Sequence, residues 1–581
     1  MDNLLDSLLE KSQGKSLGNS LDKLTFDNRF ADSLPADPII ENGSRRVLNA
    51  CYSLVTPRQA SNPKLLIHSK EVAELIGIDE ADCQTERFAK VFTGNEQLDG
   101  MMTYASCYGG HQFGNWAGQL GDGRAINLGE IINPEAEHWA IQLKGSGPTP
   151  YSRHADGLAV LRSSVREFLC SEAMFHLGVP TTRALSLCLT GDSVPRDMFY
   201  DGNVKDEPGA VVCRVAPSFT RFGHFQILAA QRSAKSEQQT EDLLKTFIDF
   251  TIRSDFPHLG EPSNDVYIKW FNEVCQLTKV MIIDWMRVGF VHGVMNTDNM
   301  SILGLTIDYG PYGWLEGYDE SWTPNTTDAE GKRYRFGSQA PMAHWNLAQL
   351  AQAISFVFED IEPLREALDN FVVEYEAEFH SMMLAKLGLS KLEPSNLEPS
   401  NLKSAEADNN AADEQLISDL LSNFHLTETD MTIFYRQLAT LNIEALASKD
   451  LDGIPAQLRD AFYQTESLED DIEHSICLWI KLYSKRALME IKSAAGSTEF
   501  QVELEHRTQK MNQINPKYVL RNYLAQQAID RSEQGDHSML HELLEVMRNP
   551  YDEQPDNTIY AEKRPEWARH KAGCSMLSCS S

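Results

Sequence analysis

The pattern of apolar residues changes along the chain, and this change restricts the fold more than any other feature. Between about Leu48 and Leu187, short alternations of apolar and polar residues are separated by glycine clusters, which is typical of strands and tight turns. From Thr240 onward, apolar residues recur at helical spacing over long stretches. The sequence therefore predicts an α+β fold in which a β-rich part precedes a helical part.

Three segments give this prediction its detail. Residues Trp139–Lys144 alternate apolar and polar side chains, as a half-buried strand does. Residues Leu161–Leu177 have helical periodicity and are followed by Gly178-Val179-Pro180, which ends a helix. Residues Val266–Val288 form a long amphipathic pattern. We expect one helix within the β-rich part and mainly helices after it.

Changes in composition divide the chain further. A repeated Leu-Glu-Pro-Ser-Asn at 392–396 and 397–401 is followed by an acidic stretch with few large apolar residues, which indicates a flexible insertion. The predicted organisation is a flexible N-terminal arm (1–25), a β-rich N-lobe with a glycine loop (26–225), a helical C-lobe with a catalytic loop and metal site (226–386), a disordered insertion (387–415), a helical C-terminal extension (416–560) and a cysteine-containing tail (561–581).

The charge balance and the absence of long apolar runs exclude two classes of partner. The 581 residues include 52 Lys and Arg against 84 Asp and Glu, giving a formal net charge of −32. Such a chain repels nucleic acid, although a local basic pocket can still bind a nucleotide. No run approaches the length of a membrane span, and the start lacks a basic region followed by an apolar one. We expect a cytoplasmic, bacterial-type protein that binds neither membranes nor nucleic acid.

The most informative region for chemistry is His292–Asn299, followed by Ile307-Asp308-Tyr309-Gly310. A loop that presents an acid and an amide, followed by an Asp in a D-x-G turn, has the logic of a kinase catalytic loop. Asn299 and Asp308 could then supply the oxygen ligands that Mg²⁺ prefers. The alternative is a helix-capping loop with Asp298 as the cap and Asp308 in a turn.

Upstream residues favour the kinase-like interpretation. Gly121-Asp122-Gly123-Arg124 is a turn in which backbone N–H groups can approach phosphate. Lys144 ends the predicted strand, and Glu167 lies 23 residues later on the predicted helix, where it could orient the lysine. Each feature alone is common in hairpins or on surfaces. Their order, from glycine loop to Lys, Glu, loop and D-x-G, predicts a nucleotide site.

One position departs from the kinase pattern. A protein kinase places its catalytic base two residues after the His of this loop, and here that residue is Val294. Valine can neither accept a proton nor bind a metal, so ordinary phosphoryl transfer is disfavoured. Asp298 is the only nearby carboxylate that could replace the base.

Several motifs resemble the selenoprotein O family over nearly the whole chain. They are Tyr108-Gly109-Gly110-His111-Gln112-Phe113-Gly114, Gln119–Ala125, Gln142–Gly147, His292–Asn299 and Asn515–Asn522. The resemblance implies a two-lobed pseudokinase fold with a helical C-lobe and additional C-terminal helices. It also implies Mg²⁺ or Mn²⁺ and an inverted ATP, from which AMP passes to Ser, Thr or Tyr hydroxyls of proteins, including the enzyme itself, with release of pyrophosphate.

The resemblance assigns roles to individual residues. Asp298 is the implied catalytic base, Asn299 and Asp308 are the implied metal ligands, and Glu167 orients the lysine. The implied ATP-binding residues are Gly121, Gly123, Arg124, Lys144, Asp156, Gly157, Arg214, Arg221 and Asp308.

The end of the chain also resembles this family. Cys579 stands third from the end, where eukaryotic relatives carry selenocysteine. Some bacterial relatives pair this cysteine with one after the D-x-G segment, but Trp322–Asn325 contains no Cys here. Cys574 is then the nearest candidate for a redox partner, and an inert terminal cysteine is the alternative.

Three other functions remain open from the sequence. The same site could transfer UMP from UTP. A non-catalytic, ATP-binding scaffold is a second alternative, although such a protein has no need of the metal ligands Asn299 and Asp308. A true protein kinase is the third, and Val294 argues against it.

Overall fold

The computed structural model describes residues 20–198, 201–231, 237–390, 399–464, 468–494 and 500–578. A β-rich N-terminal lobe is followed by a helical C-terminal lobe and further helices, which confirms the predicted α+β, kinase-like fold class. The strands are β1 (Thr25–Phe26), β2 (Tyr52–Leu54), β3 (Lys64–His68), β4 (Tyr104–Ser106), β5 (Gly109–Gln112), β6 (Asn115–Gln119), β7 (Ala125–Ile132), β8 (His138–Lys144), β9 (Ala159–Val160), β10 (Arg183–Arg196), β11 (Lys205–Ala216), β12 (Phe290–Val291) and β13 (Gly313–Trp314).

Helices carry most of the remaining described residues. The α-helices are α1 (Arg29–Ser33), α2 (Lys70–Leu75), α3 (Glu80–Cys83), α4 (Glu86–Val91), α5 (Leu161–His176), α6 (Phe222–Gln231), α7 (Glu237–Asp255), α8 (Asn264–Val288), α9 (Gln339–Ile354), α10 (Glu362–Lys386), α11 (Pro399–Leu426), α12 (Met431–Leu438), α13 (Ile443–Ser448), α14 (Ala456–Arg459), α15 (Asp470–Ala494), α16 (Phe500–Ile514), α17 (Asn522–Glu533) and α18 (Ser538–Arg548). Within the described ranges, no helix is long and apolar enough to cross a membrane.

The main sheet sets the positions of several charged side chains. Its strands follow the order β2-β4-β7-β8-β11-β10-β3, and β1 and β9 pair with β7 and β11. Strands β8 and β11 are antiparallel, with Lys144 opposite Val212 and Gln142 opposite Arg214. Since opposite residues and residues two apart share a face, Lys144, Gln142 and Arg214 lie on the same side of the sheet.

Two predicted helices are confirmed and form part of the core. Helix α5 ends one residue before the predicted limit, and its buried residues include Val165, Phe168 and Leu169. Helix α8 starts after Ser263, whose side chain accepts a hydrogen bond from the Val266 N–H, and ends at Gly289 with φ 75°. Both helices contribute to one large apolar cluster with α9, α17 and α18, so the C-terminal helices cover the N-terminal lobe.

The boundary predicted for the N-terminal arm is wrong over residues 20–25. Residues 1–19 lie outside the described residues, but Ser20–Lys23 forms a 3₁₀ turn and β1 begins at Thr25. Leu21 is buried in an apolar cluster of the N-lobe, and the Ser20 N–H donates to Asp82 at 2.6 Å. This local burial fixes a segment that the polar composition had suggested was mobile.

The predicted insertion also differs from the structure. Leu387 and Leu389 are buried, and α11 begins at Pro399, well before the predicted return of helix at Leu416. Proline is well tolerated in the first turn of a helix, and the Ala, Glu and Lys that follow have high helix propensity. Residues 391–398, which contain most of the sequence repeat, lie outside the described residues.

A buried ion pair joins the C-terminal helices to each other. Arg521, which precedes α17, donates to Asp430 at 2.6 Å, and their side chains are 1% and 0% exposed. Asp430 also caps α12 by accepting the Ile433 N–H at 3.0 Å. The Asp430 carboxylate therefore neutralises a buried guanidinium and also accepts a hydrogen bond from a backbone N–H at the start of α12.

We predict that Asp430→Ala lowers the free energy of unfolding by about 3–5 kcal/mol, because it leaves the Arg521 charge buried without its partner. Urea denaturation followed by circular dichroism measures this loss. Arg365→Ala is the control, since the Arg365–Glu362 pair is 63% and 59% exposed, and we expect about 0–1 kcal/mol there. Equal losses in the two variants would contradict the prediction.

Candidate active site

A cavity of about 950 Å³ lies between the loops of the sheet and the His292–Asn299 loop. It brings together every residue that the sequence analysis assigned to nucleotide or metal binding, although these residues are widely separated along the chain. The predicted residues that line it are Gly121, Gly123, Arg124, Lys144, Asp156, Gly157, Arg214, Arg221, Asp298, Asn299 and Asp308. Glu167 lies behind Lys144 on α5.

The charge of this cavity differs from that of the chain as a whole. Its lining includes six Lys and Arg side chains against five Asp, whereas the chain has a net charge of −32. Close positive charges in a partly dry cavity attract phosphate more strongly than a distant, screened negative field repels it. The six are Arg124, Lys144, Arg153, Arg196, Arg214 and Arg221.

Lys144 is held by the helix glutamate that the sequence predicted. Its Nζ lies 2.5 Å from Glu167 Oε2 and 3.8 Å from Asp308 Oδ1. Burial lowers the pKa of Lys144, although Glu167 and Asp308 oppose that shift. The strand, the helix and the D-x-G turn thus meet at one ammonium group.

Asp308 is the centre of a wider network of buried charges. Arg214 donates to its Oδ1 at 2.6 Å, and Arg221 donates to its Oδ2. Burial alone would raise the pKa of Asp308, but Arg221, Arg214 and Lys144 outweigh burial and hold that pKa well below its usual range. Asp308 also has φ 60°, a left-handed conformation that is uncommon for residues other than glycine.

The loop that precedes Asp308 is fixed by hydrogen bonds from its own residues. His292 Nε2 lies 2.9 Å from the Ile307 carbonyl oxygen, and its Nδ1 accepts the Val294 N–H at 3.3 Å. Asn299 donates its amide N–H to the Val294 carbonyl oxygen at 2.9 Å. This last bond leaves the side-chain oxygen of Asn299 as its remaining polar atom at the cavity.

Asp298 is buried at the edge of the cavity, and its Oδ1 has no hydrogen-bond partner. Burial raises the pKa of Asp298 to about 7, against the opposing effects of its backbone N–H and of Arg221. The Arg221 guanidinium also donates to the Asp298 carbonyl oxygen at 3.0 Å. A carboxyl group with these properties can accept a proton near neutral pH.

The β5–β6 hairpin covers the His292–Asn299 loop, an arrangement that the sequence analysis did not predict. The His111 N–H donates to Thr297 Oγ1 at 2.7 Å, and Thr297 in turn donates to Gln226 at 2.6 Å. A Cβ on Gly110 would stand 2.5 Å from Asp298 Oδ1. The only sequence signal was the Tyr108–Gly114 motif, whose glycine permits this close approach.

The sequence analysis also assigned no role to Asp122, which lies between Gly121 and Gly123. Asp122 is buried, accepts the Ser106 N–H at 2.9 Å and lies 3.8 Å from Arg221. Burial raises the pKa of this carboxyl. Gly121 has φ 77°, and a Cβ there would lie 2.4 Å from the Tyr151 ring. The turn is therefore shaped by a buried acid as well as by its glycines.

Asp156 lies at the mouth of the cavity. Its carboxylate pairs with Arg196 at 2.7 Å, and its side chain is 41% exposed. Gly157 follows with φ 70°. Both predicted residues thus border the cavity, with Arg196 as an additional cation that the sequence did not indicate.

Cys574, one of the two cysteines predicted as a redox pair, does not line this cavity. Cys574 is fully buried, and burial, followed by Glu316, raises its pKa to about 12. The tail is packed rather than flexible as far as Ser578, with the Leu577 N–H donating to the Pro324 carbonyl oxygen at 2.9 Å. Cys579 lies outside the described residues, so its pairing stays a prediction.

Comparison with known proteins identifies relatives that match almost the whole chain. A family model described as protein adenylyltransferase SelO matches residues 40–548. A protein nucleotidyltransferase YdiU from Rhodopirellula baltica is 54% identical over 566 residues, and one from Azoarcus sp. is 54% identical over 559. Another from Flavobacterium johnsoniae is 50% identical over 559 residues. Each match covers 96% of this chain and 99% of the relative.

The family match spans most of the chain, and the relatives share half of the aligned residues or more. The matched range includes the glycine turn, the Lys144–Glu167 pair and the loop that carries Asp298. The chain therefore belongs to the SelO family, a family of nucleotidyltransferases.

Proposed function

We propose that this protein transfers AMP from ATP to Ser, Thr or Tyr hydroxyl groups of proteins, its own chain included. Val294, at the position of a kinase base, lines the cavity and can accept no proton. Asp298 is the carboxylate nearest to that position along the chain, and its Oδ1 is buried without a hydrogen-bond partner. The relatives named protein nucleotidyltransferases support transfer of a nucleotide to protein.

The main observation in favour of AMP transfer over phosphate transfer is the pair of arginines that donate hydrogen bonds to Asp308. Arg214 and Arg221 are each 2% exposed, and together with Lys144 they concentrate positive charge at the inner end of the cavity. This charge suits the γ- and β-phosphates of an inverted nucleotide. The α-phosphate then lies towards Asp298, and the terminal phosphates form the leaving group.

The residues at the cavity fit a divalent metal ion. Asp308 offers a carboxylate held in its charged form, and Asn299 keeps a side-chain oxygen after its amide N–H has bonded to Val294. Mg²⁺ and Mn²⁺ take such hard oxygen ligands, and we propose that these two residues hold the ion. When bound, the ion would neutralise phosphate charge.

The transfer requires one proton acceptor and one leaving group. Asp298 accepts the proton of the acceptor hydroxyl as its oxygen attacks the α-phosphorus. A new O–P bond forms, the bond between the α-phosphorus and the bridging oxygen breaks, and pyrophosphate departs with the bond's electron pair. Lys144, Arg214 and Arg221 stabilise the charge that accumulates on the leaving group.

We predict that label from the α position of ATP, and none from the γ position, enters protein. Purified enzyme incubated with Mg²⁺ and each labelled nucleotide, followed by electrophoresis and autoradiography, measures this. Labelled UTP run in parallel tests UMP transfer. Incorporation of γ label would instead indicate a kinase, and the absence of any incorporation would favour a nucleotide-binding scaffold.

We predict that Asp298→Asn lowers the rate of transfer by about 10²–10⁴-fold, because the amide keeps the shape of the side chain but cannot accept the proton. The dissociation constant for ATP should change little. Steady-state kinetics and calorimetric titration with ATP separate the two effects. Asp360→Asn, at an exposed aspartate before α10, is the control, and a loss below tenfold at Asp298 would contradict its role as base.

We predict that Gly110→Ala lowers the rate by about tenfold or more, because the added Cβ would stand 2.5 Å from Asp298 Oδ1 and displace it. Activity measured with α-labelled ATP reports the loss, and thermal unfolding reports the fold. Gly43→Ala is the control, since a Cβ there meets nothing within 4 Å. Normal activity in Gly110→Ala would show that the hairpin does not position Asp298.

A further inference from the structure

A group of three potential metal ligands lies in the N-lobe, away from the nucleotide cavity. The side chains are His68, Glu80 and Cys83, and their ligand atoms lie within 4.8 Å of one another. None of the three lines the cavity that contains Lys144. Their arrangement serves no purpose in the transfer reaction proposed above.

The backbone places these three side chains together. His68 is the last residue of β3 and pairs with Ser186 of β10, and its ring packs against the edge of Phe88. Glu80 and Cys83 are the first and last residues of α3. Residues three apart on a helix face the same way, so the turn presents both towards His68.

Exposure to solvent increases from Cys83 through His68 to Glu80, and such an arrangement suits an ion-binding site. Cys83 is fully buried, the His68 side chain is 9% exposed, and the Glu80 side chain is 51% exposed. His68 and Glu80 both line a second cavity, of about 840 Å³, so an ion and a water molecule can reach them. Glu80 Oε2 lies 2.9 Å from His68 Nε2, and its Oε1 accepts from Gln84 at 3.3 Å.

The cavity beside this group carries side chains of both signs, with Lys64, Lys70 and Arg548 as well as Glu80 and Glu86 in its lining. Burial, followed by Glu80, Asp82 and Asp79, raises the pKa of the Cys83 thiol to about 12. Binding of a metal ion at Cys83 therefore has to displace the thiol proton. A dication would be neutralised by one thiolate and one carboxylate, which reduces the cost of holding it in a partly buried position.

The mixture of ligand atoms selects the metal. Mg²⁺ and Ca²⁺ prefer oxygen ligands, whereas one sulfur, one imidazole nitrogen and one carboxylate oxygen form a ligand set typical of Zn²⁺. We propose that His68, Glu80 and Cys83 bind Zn²⁺, with water from the cavity in the fourth position. The Cys83 thiol releases its proton to solvent as the Zn–S bond forms, and the ion joins α3 to the end of β3.

Cobalt(II) tests this proposal, because a thiolate bound to Co²⁺ produces a charge-transfer absorption in the near ultraviolet. Chelator-treated full-length protein is titrated with Co²⁺ in the presence of excess Mg²⁺, which occupies oxygen sites. We expect one Co²⁺ per chain with this absorption, and its loss when one equivalent of Zn²⁺ is added. The absence of the absorption in the wild-type protein would overturn the proposal.

Variants identify the ligands. Cys83→Ser should abolish the absorption, whereas Cys188→Ser should retain it, because Cys188 is an equally buried thiol on β10 outside the group. Glu80→Gln changes a half-exposed side chain and so tests the site without threatening the fold; it should weaken binding of Zn²⁺ by about tenfold or more. Unchanged affinity in Glu80→Gln, or absorption retained in Cys83→Ser, would overturn the assignment.

Discussion

The carboxylate of Asp308 is the counter-charge on which the centre of the molecule depends. Arg214 and Arg221 are buried side chains that both donate to it, and Lys144 lies 3.8 Å away. Glu167 is a second anion here, at 2.5 Å from Lys144 and 3.2 Å from Arg214. Without Asp308, this one carboxylate would face three buried cations, which would repel one another and lose their hydration without full compensation. The D-x-G turn therefore has a structural role without any ligand, because the Asp308 carboxylate neutralises part of this buried positive charge.

This interaction also connects the two lobes. Arg214 belongs to β11, Lys144 to β8 and Glu167 to α5, whereas Asp308 follows the loop of the helical lobe. Each of these elements contributes one charge to the same point. The β5–β6 hairpin adds a second connection by hydrogen bonding to Thr297. Asp298 thus lies between the ion pairs of Asp308 and the β5–β6 hairpin, and each of these holds its own part of the chain in place.

The sequence predicted the features that are local or carried by motifs. Helix α8 follows from apolar periodicity, and Lys144, Glu167, Asn299 and Asp308 follow from an ordered series of residue types. The hairpin's contact with Thr297 could not be predicted, because it joins residues 186 positions apart whose approach depends on the folded sheet. The burial of Leu21 was missed because the polar composition of its segment suggested a flexible arm. The early start of α11 was missed because the sequence repeat was given more weight than helix propensity.

The C-terminal helices have a consequence for when the active site can form. Helix α5, which carries Glu167, shares its apolar cluster with α17 and α18. Arg548 at the end of α18 also pairs with Glu71 at 2.7 Å, and Tyr551 donates to the Leu177 carbonyl oxygen at 2.8 Å. During synthesis on the ribosome, α5 emerges long before these partners exist. Strands β10 and β11 also pack against α5, but the side of α5 that contacts α17 and α18 is covered only after those helices have been translated. The surroundings of Glu167 are therefore completed late in synthesis.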